Sequence, residues 1–144
     1  MLYLAFIYSI TTLALLLAIS QAKYCTSQGP GVCQLNFQGS PLYTDGNYKY
    51  SIIWEFAYIF DNSCKQLGYV TYPLQGLAID SQLPFTVDIT WMSTDTEYFE
   101  FCYSATCHQG GFWCQLQDVN STSIIECLHG FDCANMERMV SPKE

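Results

Sequence analysis

Positive charge is what this chain has least of. Five Lys and Arg residues face thirteen Asp and Glu, Arg138 is the single arginine, and the formal charge is −8. With no basic strip to neutralise phosphates, nucleic-acid binding and phosphate clamping are not expected, and an anionic membrane surface is disfavoured for the same reason. Catalytic signatures are just as thin. The sequence has no Gly-x-Ser-x-Gly elbow, no CxxC knuckle and only two histidines, His108 and His129. Ribonuclease chemistry would also need a cation beside the histidines, and Arg138 lies in a polar C-terminal stretch.

Charge is missing from the amino-terminal run as well: nothing ionisable on a side chain that would be charged at neutral pH precedes Lys23 in MLYLAFIYSITTLALLLAISQA. An apolar run that exits through small residues reads as an export signal, with cleavage expected after Ala22 and, as second choice, after Ser20. An uncleaved anchor is the alternative, but no Lys or Arg cluster marks a cytoplasmic flank. Removing residues 1–22 from the 144 leaves 122, Lys23 to Glu144, enough for one domain with a real core and no remaining membrane segment.

All eight cysteines follow the expected cut: Cys25, Cys33, Cys64, Cys102, Cys107, Cys114, Cys127 and Cys133. An even number confined to the exported part implies four disulfides in an oxidising compartment, with the pairing open. Metal binding by Cys107, Cys114, Cys127 and Cys133 with His108 and His129 is the weaker reading, so no metal or cofactor is expected. Asn120-Ser121-Thr122 is an N-glycosylation sequon in a polar stretch suited to a loop.

What the chain does have is aromatic residues in strand-like alternation. In Tyr48–Phe60 the even positions Tyr48, Tyr50, Ile52, Trp54, Phe56, Tyr58 and Phe60 are all large and apolar or aromatic, while both charges fall on odd positions. That period of two marks a core strand, long enough to require a bulge or bend near Glu55–Ala57 or a crossing between sheets. Val32–Gln38 alternates Cys33, Leu35 and Phe37 with Gln34, Asn36 and Gln38, a strand with one wet face. Leu67–Tyr72 and the brief Gly76–Ile79 follow, and Phe85–Trp91 places Phe85, Val87, Ile89 and Trp91 on one side. Tyr98–Tyr103, Phe112–Gln117 and Ser123–Leu128 complete the set, with residues 134–144 expected to fray. About seven strands and no helix predict an all-β, disulfide-stapled antiparallel sandwich or barrel.

Three residue groups could carry chemistry. His108 or His129 could serve a nucleophile triad, but cysteines are expected to be paired and no serine elbow exists. Asp95, Glu97 and Glu100 form the densest carboxylate group, yet Glu97 and Glu100 differ by an odd number and would face opposite sides of a strand, so a solvated loop is preferred to glycoside hydrolysis. In Gly110–Gln117 the residues Phe112, Cys114 and Leu116 claim one face, leaving Trp113 with Gln115 and Gln117 on the other. Such a tryptophan could stack on a sugar or anchor a protein interface, or pack on a neighbouring disulfide or in the second sheet.

The exported cysteines, the Tyr24-Cys25 start, the short β-rich body and the lack of an enzyme motif resemble the small secreted cysteine-rich effectors of plant-pathogenic fungi, the avirulence proteins of Leptosphaeria being the nearest image. The resemblance implies a non-enzymatic protein that binds a host protein, diverts plant defence and is recognised by a resistance protein in some hosts. It also implies a location in the host apoplast or, after translocation, within host cells. A carbohydrate-binding or wall-associated module that takes cell-wall polysaccharide is the alternative, and a small hydrolase or toxin is third. Exposed strand edges would also permit dimerisation, and the oligomeric state stays open.

Overall fold

The computed structural model describes residues 25–43, 50–119 and 121–133. The expected signal peptide, Tyr24, Tyr48, Asn120 and the tail 134–144 lie outside the described residues. Within them the protein is all-β, built from β1 (Val32–Tyr43), β2 (Tyr50–Phe60), β3 (Gln66–Thr71), β4 (Ala78–Ile79), β5 (Val87–Met92), β6 (Phe99–Tyr103), β7 (Thr106–Gln109), β8 (Trp113–Val119) and β9 (Thr122–Asp132). No helix of the described residues is long and apolar enough to cross a membrane.

Two antiparallel sheets form a sandwich that does not close into a barrel. One has the order β3-β2-β1-β9-β8 and the other β4-β5-β6-β7. Nine strands stand where about seven are expected: β4 has two residues, and β7 comes from Thr-Cys-His-Gln, whose alternation is too short to register. Between the sheets Leu35, Phe37, Ile59, Ile125 and Phe131 meet Val87, Ile89, Phe99, Phe101 and Tyr103, all buried. Phe37 and Phe99 stack from opposite sheets with ring centroids 4.1 Å apart, and Trp54 meets Phe99 edge-on at 4.8 Å. Each such side chain contributes roughly 1.5–3 kcal/mol by leaving water.

The long strand does break its register at Glu55, as its length requires. Gln38 pairs with Phe56 but Gly39 pairs with Trp54, so one residue of β2 is extra. Parity therefore inverts, a consequence that the even-position reading misses. Ile52 and Trp54 face the core before the bulge, and Ala57 and Ile59 face it afterwards. Phe56 and Tyr58 turn to the outer face, where Tyr58 stacks on Phe56, on Phe60 and on Tyr69, while Phe60 itself stays buried. A second bulge at Thr90 corrects β5 in the same way: Ile89 pairs with Phe101 but Trp91 pairs with Glu100, so Trp91 leaves the core side. Phe85 precedes β5 and is exposed as well.

Nor is the other face of β1 wet. Gln34 and Asn36 are buried, because Gln34 exchanges hydrogen bonds with the backbone of Thr26 and Asn36 donates to Glu126. The strand also runs beyond the expected Gln38, through Gly39-Ser40-Pro41, since β1 pairs with β2 as far as Tyr43.

Four disulfides fix the pairing that spacing leaves open: Cys25–Cys64, Cys33–Cys133, Cys102–Cys107 and Cys114–Cys127. The first joins the segment before β1 to the turn after β2, and the second joins β1 to the residue that follows β9. The last two link directly opposed residues of β6–β7 and β8–β9.

Candidate functional site

β8 is the edge strand of the larger sheet, and its alternation sends Trp113, Gln115 and Gln117 to the outer face, as the sequence suggests. Trp113 is 57% exposed. Register places Trp113 opposite Leu128, Gln115 opposite Glu126 and Gln117 opposite Ile124 of β9. These three pairs build a platform with an open indole at one end and amides along its length.

Glu126 organises that platform from below. Its carboxylate is 3% exposed and accepts hydrogen bonds from Gln115 Nε2 at 3.2 Å, Gln117 Nε2 at 3.1 Å and Asn36 Nδ2 at 3.3 Å. A buried carboxylate costs several kcal/mol in lost hydration unless donors replace the water, and the three amides supply charge-assisted bonds from two flanking strands, β1 and β8. In return the carboxylate fixes the rotamers of both glutamines. Each commits one N–H and retains a carbonyl oxygen and a second N–H as chemical handles.

The opposite face of the same two strands is stapled. Cys114 lies between Trp113 and Gln115, Cys127 lies between Glu126 and Leu128, and the two are joined. The platform is therefore carried on a covalently cross-linked strand pair. Glu126 is the member of this candidate site that a motif search misses. Its signal is a single charge inside Ser-Ile-Ile-Glu-Cys-Leu, at the parity of Ile124 and Leu128.

His108 and His129 do come together, but with each other. His129 Nε2 lies 3.3 Å from His108 Nδ1, and its Nδ1 lies 3.1 Å from the Gly111 carbonyl. Phe101 stacks on His108 at 4.7 Å, while Phe112 packs against His129. Burial and then the adjacent His129 push the His108 imidazole below its ordinary pKa. Every cysteine is in a disulfide, so Cys107, Cys114, Cys127 and Cys133 have no thiolate to give a metal or a substrate.

The carboxylates Asp95, Glu97 and Glu100 are separated. Asp95 and Glu97 sit on the exposed loop between β5 and β6. Glu97 lines a small open groove of about 110 Å³ with Pro41, Tyr43, Leu116 and Ile125. Glu100 lies on the outer face of the smaller sheet, where Tyr98 Oη donates to it at 2.7 Å. Leu116, although on the core side of β8, is exposed in that groove because the smaller sheet does not extend over it.

No protein-family model matches the chain, and neither a curated protein nor a solved structure matches it.

Proposed function

We propose that this is a secreted, non-enzymatic binding protein of the effector type, which occupies a surface of a host-plant protein through the Trp113 platform and so diverts defence. The observation that carries the reading is the exposed Trp113 beside two glutamines whose amides are held by buried Glu126. An aromatic anchor surrounded by ordered polar groups is the arrangement in which a few residues supply most of the affinity. Because the glutamine rotamers are already fixed, binding sacrifices little side-chain entropy. Four disulfides support the extracellular assignment, since such bonds persist in oxidising compartments and close loops against unfolding and proteolysis.

The same alignment of indole and amides favours one second reading, a module that stacks a sugar ring of wall polysaccharide on Trp113 and bonds its hydroxyls through Gln115 and Gln117. A paired retention assay separates the two. Oxidised 23–144 protein is offered insoluble wall polysaccharide in one arm and plant protein extract in the other, beside reduced and alkylated protein. Capture of a discrete plant protein by the oxidised chain, lost in Trp113→Ala, is the expected result. Retention on polysaccharide that Trp113→Ala abolishes would replace the protein-binding reading with the carbohydrate module.

A further inference from the structure

The outer face of the smaller sheet carries a second exposed indole, on the side of the sandwich away from the Trp113 platform. The bulge at Thr90 turns Trp91 outward, leaves it 49% exposed and sets it opposite Glu100 of β6. Glu100 is fixed from its other side by the 2.7 Å hydrogen bond from Tyr98 Oη. Tyr98 in turn lies beside Gly110, where a Cβ would come within 3.1 Å of the ring. The hydrogen bond to Glu100 raises the Tyr98 phenol above its ordinary pKa, which keeps it the donor. Gln109 pairs with Glu100 across β6–β7, and the Cys102–Cys107 link cross-braces the adjacent pair.

Two exposed aromatic rings thus flank one anchored carboxylate. No basic side chain shares this face: among the described residues Lys65 is the single Lys or Arg, and it lies in the turn between β2 and β3 of the other sheet. Ring faces attract cations, and a carboxylate accepts the forked N–H groups of a guanidinium. Burying Glu100 against a neutral surface would strip its hydration without replacement, whereas a cation replaces it. A net charge of −8 adds attraction for a basic partner at longer range.

We propose that the Trp91–Glu100–Tyr98 row is a docking site for an arginine in a basic segment of a partner protein. The guanidinium stacks on Trp91 and donates to Glu100. This site is spatially separate from the Trp113 platform and stands or falls independently of it.

The test uses oxidised 23–144 protein titrated with a short arginine–glycine peptide and with the same peptide carrying citrulline, which keeps the planar shape and removes the charge. Indole N–H resonances report the site, that of Trp91 being assigned with Trp91→Phe. The expected result is a saturable shift of the Trp91 signal by the arginine peptide alone. Glu100→Gln should weaken binding by about three- to fivefold and Trp91→Ala by about threefold. Asp118→Asn removes the same charge from the other sheet and should change affinity by less than about twofold. Equal binding of the citrulline peptide, retention of affinity in Glu100→Gln, or an equal loss in Asp118→Asn would overturn the proposal, the last by reducing it to bulk charge.

Discussion

His129 of β9 and His108 of β7 share a hydrogen bond of 3.3 Å that joins the two sheets of the sandwich. Phe101, Phe112 and Phe131 surround the pair, and the Gly111 carbonyl engages His129 Nδ1. No carboxylate touches either ring among these contacts, so nothing there offsets added positive charge.

Acid should therefore loosen the fold. An unfolded histidine takes its proton near 6.5, whereas His108 in the folded protein is pushed lower by burial and by His129. Below 6.5 the unfolded chain binds more protons, so stability is present above that pH and is lost progressively as pH falls toward the folded value. Urea unfolding midpoints measured between about pH 7 and pH 5 should fall for the native protein. His108→Phe, which keeps a ring against Phe101, should flatten that slope. An unchanged slope in the variant would locate the acid sensitivity elsewhere.

The four disulfides should contribute unequally. Cys33–Cys133 closes a separation of 100 residues and Cys102–Cys107 one of 5. Loop entropy assigns them about 4.7 and about 2 kcal/mol respectively. Thermal unfolding of the two double-alanine variants should show the larger drop for Cys33–Cys133, where buried Cys33 also leaves a cavity.

Glu126→Ala should destabilise the protein by about 2–3 kcal/mol, because the amides of Asn36, Gln115 and Gln117 lose a shared acceptor. Glu126→Gln keeps the volume and one oxygen and should cost less. The side-chain N–H resonances of Gln115 and Gln117 should shift in both variants if the carboxylate holds them.

Gly39 lies across from the β2 bulge, and a Cβ there would meet the Ile53 carbonyl oxygen at 2.5 Å and Trp54 Cε3 at 2.9 Å. Gly39→Ala should therefore cost about 1–3 kcal/mol by overpacking, read from denaturant unfolding. A neutral result would mean that the bulge relaxes freely.

Much of the architecture is legible in residue alternation. Cys33, Leu35 and Phe37 point inward as their period of two requires, and so do Phe99, Phe101 and Tyr103. The bulge at Glu55 is legible from strand length alone, but not its effect on Phe56 and Tyr58, because one inserted residue inverts every position beyond it. Trp91 escapes the alternation rule for the same reason. At the platform, Trp113, Gln115 and Gln117 follow from parity within one strand. Glu126 does not, since its partnership with Gln115 depends on the β8–β9 register, which single-strand patterns leave undetermined. The histidine pair is a contact between sheets over 21 residues of chain, beyond the reach of local patterns.

The most direct measurement is the affinity of the captured plant protein for native 23–144 protein and for Trp113→Ala, each confirmed oxidised and folded. Removal of a central aromatic anchor should weaken binding by at least about thirtyfold, equivalent to about 2 kcal/mol. Affinity within about twofold of native would contradict the assignment of Trp113 as the anchor and move the binding surface elsewhere on the sandwich.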